Sequence, residues 1–135
     1  MATDEQIQMT LKRHFEAWNS GDREAWLSLW EDDVQLEDPV GGPEKFGRSA
    51  VEATWDNSSK DGASWTMHPL FLRICGGEAA IHAKNVGLVG GEEIVIESLE
   101  FWEFGPTAKV KRLRTFFAPP GGVTLDPFFS KSDRA

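Results

Sequence analysis

The 135-residue sequence reads as an α+β domain, a curved antiparallel sheet wrapped around three N-terminal helices. Two patterns predict this. Up to residue 58, apolar residues recur mainly at helical spacing, with one short alternating stretch. After Gly62 the period becomes two and stays so, broken only by glycine-rich turns. The length suits one domain over 1–135: helices and a short strand in 1–58, the sheet in 63–118, and a tail in 119–135.

The first helix is expected to start at Thr3, whose spacing to Gln6 is that of a capping box, with Asp4 and Glu5 suiting the positive end of the helix dipole. Ile7, Leu11, Phe15 and Trp18 form its apolar stripe. In "NSGD" at 19–22, Gly21 can end this helix and Asp22 can cap the next. A second helix is expected over 22–31, with Trp26, Leu29 and Trp30 on one side. "DDVQLEDP" at 32–39 alternates and predicts a short strand, "GGPEKFG" a turn, and 47–58 a third helix with Val51, Thr54 and Trp55 inward. Four long strands follow, over 64–74, 78–89, 92–104 and 109–118, and Gly90-Gly91 is a two-residue hairpin signal. The tail is rich in Pro and Gly, then amphipathic, with Phe128 and Phe129 placed to pack on a neighbouring subunit or on the domain's own edge.

Composition narrows the function. Hydrophobic residues make up 40% of the chain, enough for a packed core. A net charge of −8 argues against a nucleic-acid partner. No apolar run approaches the ~20 residues of a membrane span, and the acidic start "MATDEQIQ" lacks a signal-peptide pattern, so a cytoplasmic protein is expected. Cys75 is the only cysteine, and His68 and His82 have no partner at ligand spacing, so no metal site is expected. Phosphate-binding, dinucleotide and serine-nucleophile motifs are absent. "KVKRLR" at 109–114 reads as a solvated strand face opposite Val110 and Leu113. The chain has six Trp, nine Phe and no Tyr.

Three ionisable groups fall on apolar faces. In the strand over 34–38, Val34, Leu36 and Asp38 share one side, so Asp38 is expected in the interior and Glu37 in water. His14 lies three residues after Leu11 and four before Trp18, on the apolar stripe of the first helix. In the 92–104 strand both faces are mixed. The set Ile94, Ile96, Ser98, Glu100, Trp102 and Phe104 ends in two large aromatics, which favours it as the enclosed one. Taken singly, such a histidine is most often a hydrogen-bonded core residue, and an acid before proline a turn former. Three ionisable groups sent from separate elements into one apolar space instead suggest an active site.

On these residues the chain resembles the bacterial ketosteroid isomerases (steroid Δ5-isomerases) of the NTF2-like, or SnoaL-like, superfamily. The resemblance runs from the first helix to "RTFF" and is carried best by "RHFEAWNSGDREAWLSLWEDDVQLEDPVGG" and "LEFWEFGPTAKVKRLRTFF". It implies a conical fold, a homodimer formed by the sheets, an apolar steroid-like substrate and no cofactor. It also implies that Asp38 is the base that moves a proton next to a ketone, a chemistry that serves as one of the standard worked cases of carboxyl tuning. The family's oxyanion hole, a tyrosine and a protonated aspartate, falls here on His14 and Glu100, and a further tyrosine falls on Trp55. The substrate wall implied by the resemblance comprises Trp55, Ala83, Asn85, Gly87, Trp102 and Phe117. Family aromatics on the 78–89 strand are replaced by the small or polar Ala83, Asn85 and Gly87, and tryptophans elsewhere could refill that volume. His14 and Glu100 could serve as two neutral donors or pair as ions. Alternatives on the same fold are a non-catalytic protein that holds a small apolar ligand, or a polyketide cyclase or epoxide hydrolase.

Overall fold

The structure is a computed structural model that describes residues 1–117. The elements are α1 (Asp4–Ser20), α2 (Arg23–Leu27), β1 (Trp30–Glu37), β2 (Lys45–Phe46), α3 (Gly47–Ser58), a 3-10 turn (Lys60–Gly62), β3 (Ser64–Cys75), β4 (Glu78–Val89), β5 (Glu92–Phe104) and β6 (Val110–Phe116). The tail residues Phe128 and Phe129 lie outside the described residues.

Local chemistry sets the helix ends. Thr3 and Gln6 close the capping box reciprocally, with side chain to backbone distances of 3.1 and 2.9 Å. Gly21 takes the left-handed conformation, φ 76°, that ends α1, and Asp22 caps α2 by accepting from the Ala25 N–H. Asn19 also has a structural role: its amide bonds both the N–H and the C=O of Met67, which pins the end of α1 to β3.

The six strands form one sheet in the order β2-β1-β6-β5-β4-β3. The long strands β3 to β6 pair antiparallel, as expected for the sheet over 63–118, and β1 joins them parallel to β6, which makes the six-stranded sheet mixed. This pairing also corrects the second helix, which ends at Leu27 instead of 31. The Val110 N–H donates to the Leu29 C=O at 2.8 Å, and Trp30 is already opposite Val110 in β1. Pairing with the sheet therefore overrides the helical spacing of Leu29 and Trp30. The turn expected at "GGPEKFG" contains the two-residue strand β2. Pro69 is tolerated because β3 is an edge strand and its register shifts there.

The helices cover one face of the sheet. In β5, Ser98, Glu100 and Trp102 are buried while Leu99 and Phe101 are exposed, so the Ile94–Phe104 set faces the helices. The core joins Ile7, Leu11 and Phe15 of α1 to Trp26, Trp30, Val34, Ile81, Trp102 and Val110. No helix among the described residues is long and apolar enough to cross a membrane.

Candidate active site

A cavity of about 250 Å³ lies between the helices and the covered face of the sheet. His14, Asp38 and Glu100 all line it. The rest of its wall is largely aromatic and aliphatic, with Trp18, Trp26, Trp30, Trp65, Trp102 and Phe117 supplying the rings.

Glu100 is the most buried carboxyl among the described residues, 7% exposed. Its Oε1 accepts from the Trp102 indole N–H and its Oε2 from the Ser98 hydroxyl, each at 3.1 Å. Period-two geometry makes this possible, since residues 98, 100 and 102 project from the same side of β5. Burial, opposed by the two hydrogen bonds and aided by the nearby Asp38, raises the Glu100 pKa to about 7. Below neutrality Glu100 is therefore a neutral acid. The indole N–H can only donate, so Oε1 is held as an acceptor, whereas the Ser98 hydroxyl can rotate away or accept, so the acid proton belongs on Oε2.

His14 is 3% exposed, and burial lowers its pKa to about 3. The Trp26 indole N–H donates to its Nδ1 at 2.9 Å. Its ring meets Trp102 edge-on, with centroids 4.7 Å apart, so the same indole touches His14 and bonds Glu100. No ion pair joins His14 to Glu100 among the described residues. Below about pH 7, burial favours the neutral form of both groups.

Asp38 follows the last residue of β1 and sits where the cavity meets solvent. The Thr115 hydroxyl donates to its Oδ1 at 2.5 Å. Thr115 is buried and is the register partner of Glu100 across β5–β6, so one threonine stands between the two carboxyls. Alternation does put Glu37 and Asp38 on opposite faces, but the expected solvation is reversed. Asp38 is exposed at the cavity mouth. Glu37, with its side chain only 13% exposed, is held by Arg112 at 3.0 Å and Arg114 at 3.2 Å, and its pKa is lowered chiefly by the Arg112 hydrogen bond. The reason is the parallel β6, which carries two arginines past β1 at the register Gln35–Arg112 and Glu37–Arg114.

Of the six wall residues expected from the sequence, Asn85, Trp102 and Phe117 line the cavity, whereas Trp55, Ala83 and Gly87 are not among its lining. Trp55 packs on Trp18 and Trp26 with centroids 5.1 and 5.4 Å away, and its helix contributes Thr54 and Ser58 to the wall instead. Gly87 lies under Trp65, its register partner on β3. A Cβ there would be 2.5 Å from the indole ring, so the missing side chain makes room for a tryptophan that does reach the cavity. Trp26, Ser98 and Thr115 are the contacts that sequence reasoning missed. Ser98 had a visible signal, two residues before Glu100 on one strand face. Trp26 and Thr115 had none, because their partners are on other elements.

The fold is thus a mixed sheet covered by helices on one face, with a tryptophan-lined cavity that holds carboxyl groups between the layers. The chain belongs to the SnoaL-like domain family, whose pattern matches residues 11–121. It is 27% identical over 122 residues to a steroid Δ-isomerase of Nocardioides simplex, covering 90% of this chain and 97% of that one. Two solved structures share the fold, each covering 87% of this chain and 95% of the other. One is the epoxide hydrolase/cyclase-like enzyme SalBIII, which has a role in pyran ring formation in the polyether salinomycin, with a TM-score of 0.79 at 19% identity. The other is the Mycobacterium tuberculosis protein RV0760c, with a TM-score of 0.75 at 18% identity.

Proposed function

We propose that this protein is a cofactor-independent isomerase that moves a proton next to the ketone of an apolar, steroid-like substrate. The observation that carries the reading is the division of labour in one cavity. Asp38 stands at the mouth, and His14 and Glu100, whose neutral forms burial favours, stand inside. Asp38 removes a proton from the carbon between the ketone and an isolated double bond. The electron pair delocalises onto the ketone oxygen, and the same carboxyl returns the proton two carbons away, so that the double bond becomes conjugated and no atom is gained or lost. His14 and Glu100 donate to the oxygen as charge develops there. Neutral donors suit this task, because a buried cation would be costly in the absence of the enolate. The similarity to a steroid Δ-isomerase supports the substrate class. The same reading includes a homodimer meeting through the outer sheet face, where Phe71, Leu99, Phe101 and Phe116 are exposed.

The test is the absorbance that appears when a 5-ene-3-ketosteroid becomes conjugated. The native chain is expected to turn over the steroid, and Asp38→Asn to lose the activity by several orders of magnitude. Equal rates for native protein, variant and buffer overturn the isomerase reading. One observation favours a second reading. An acid and a carboxylate across one cavity, Glu100 and Asp38, can also open an epoxide, the acid protonating its oxygen while the carboxylate activates water or a substrate hydroxyl. Turnover of an apolar epoxide, lost in Asp38→Asn, with no ketone isomerisation would select that reading. Tight binding of an apolar phenol with neither reaction would select a ligand-holding protein.

A further inference from the structure

We propose that Trp26 is a positioning residue that fixes which nitrogen of His14 carries the proton, and so makes His14 an obligate donor in the cavity. The inference rests on the proton-transfer reading above for its consequence, but not for its geometry. The indole Nε1 of Trp26 lies 2.9 Å from His14 Nδ1. Indole nitrogen has a proton and no available lone pair, so it can only donate. Nδ1 therefore accepts and is unprotonated, and the neutral ring carries its hydrogen on Nε2. Nε2 has no partner among the described residues, while the ring lines the cavity.

Both residues are locked. Trp26 is 2% exposed and packs against Trp18 at 5.1 Å, Trp30 at 5.0 Å and Trp55 at 5.4 Å. The His14 ring meets Phe15 and Trp102 edge-on, each at 4.7 Å. A second proton on the ring would have to go to Nδ1, against the indole N–H already there. The titratable group that reaches this space from the sheet is Glu100, and Asp38 stands at the mouth. Neither is within bonding distance of Nδ1. Two consequences follow for the ligand. The atom set against His14 must be an acceptor, such as a ketone or enolate oxygen. His14 also cannot serve as a general base, which assigns that role to Asp38 in either reaction class.

The test starts with the native protein, free of ligand and labelled with ¹⁵N. The expected nuclear magnetic resonance signature is a pyridine-like Nδ1, a pyrrole-like Nε2, and a scalar coupling across the Trp26 N–H···N bond, unchanged between pH 5 and 8. A protonated Nδ1, a tautomer average or a missing coupling overturns the proposal. In Trp26→Phe the ring is expected to lose its single tautomer and to titrate at higher pH, since protonating Nδ1 no longer opposes a hydrogen bond. An equilenin-like phenol should then bind about tenfold more weakly, the loss of roughly one hydrogen bond. The same titration and affinity in the variant as in the native chain would also refute it. The two readings fail separately: the coupling in a protein that turns over no ketone sinks the isomerase reading alone, and a freely titrating His14 in an active isomerase sinks this inference alone.

Discussion

Glu100 shows how a single carboxyl can set a pH range. Its pKa is raised to about 7, first by burial and then by Asp38. It donates below that value and only accepts above it. Binding of an oxyanion-like phenol, and kcat/KM for any ketone substrate, should therefore fall as pH rises through 7. Glu100→Gln cannot ionise, so its amide N–H₂ should donate equally on both sides of this point, and the alkaline limb should vanish. Glu100→Ala removes the donor and should cost roughly 10²–10³ in turnover. A pH–rate series on the three proteins decides the matter: an alkaline limb that survives in Glu100→Gln assigns it to another group. Asp38 was legible from "VQLEDP" because strand alternation is a local rule. Its solvation was not, because the arginines that take up Glu37 come from β6, some 75 residues away in sequence.

The strands β3 and β4 illustrate what a sequence pattern can and cannot deliver. Their extent was readable from alternation and from the Gly76-Gly77 and Gly90-Gly91 turns, where both glycines of each pair have positive φ. The register between them was not readable, and register decides the cavity wall. Trp65 pairs with Gly87, so an indole fills the space that a side chain on β4 would occupy. Gly87 is thus a structural complement to Trp65 and not a substrate contact in its own right. Gly87→Ala should put a methyl against the ring at 2.5–2.7 Å and force Trp65 to move. The expected cost is about 1–3 kcal/mol, the usual range for overpacking, read as a lower urea midpoint at unchanged slope. Because Trp65 lines the cavity, phenol affinity should change in the same variant. A stability equal to the native chain would mean that Trp65 does not lie across this glycine. The parallel β1–β6 pair was equally hidden, since alternation reports strands and not their direction, and it is this pairing that shortens α2 and carries Trp30 into the sheet.

His14 and Glu100 together also shape the stability of the fold against pH, and in opposite senses. His14 has a folded pKa of about 3 against an ordinary 6.5, so below 6.5 the unfolded chain binds the extra proton, and stability falls as pH drops from 6.5 toward 3. Glu100 has a folded pKa of about 7 against an ordinary 4.5, so between these values the folded chain binds the extra proton, and stability falls as pH rises. From 4.5 to 6.5 the two slopes oppose each other and leave a plateau. Above it only Glu100 acts, and below it only His14, joined by Glu37, whose lowered pKa withdraws stability as pH falls. Shifts of this size correspond to a few kcal/mol for each buried group. Urea unfolding at pH 4, 5.5 and 8 should thus give the highest midpoint at 5.5. The net charge of −8 adds self-repulsion at alkaline pH, so the native curve alone does not isolate Glu100. The difference between Glu100→Gln and the native chain does isolate it, because both share every other charge. That difference should move in favour of the variant from pH 5 to 8 and be flat below 4.5. A difference independent of pH would mean that Glu100 ionises at an ordinary value in the folded chain. The same result would remove one of the two neutral donors on which the proposed chemistry depends.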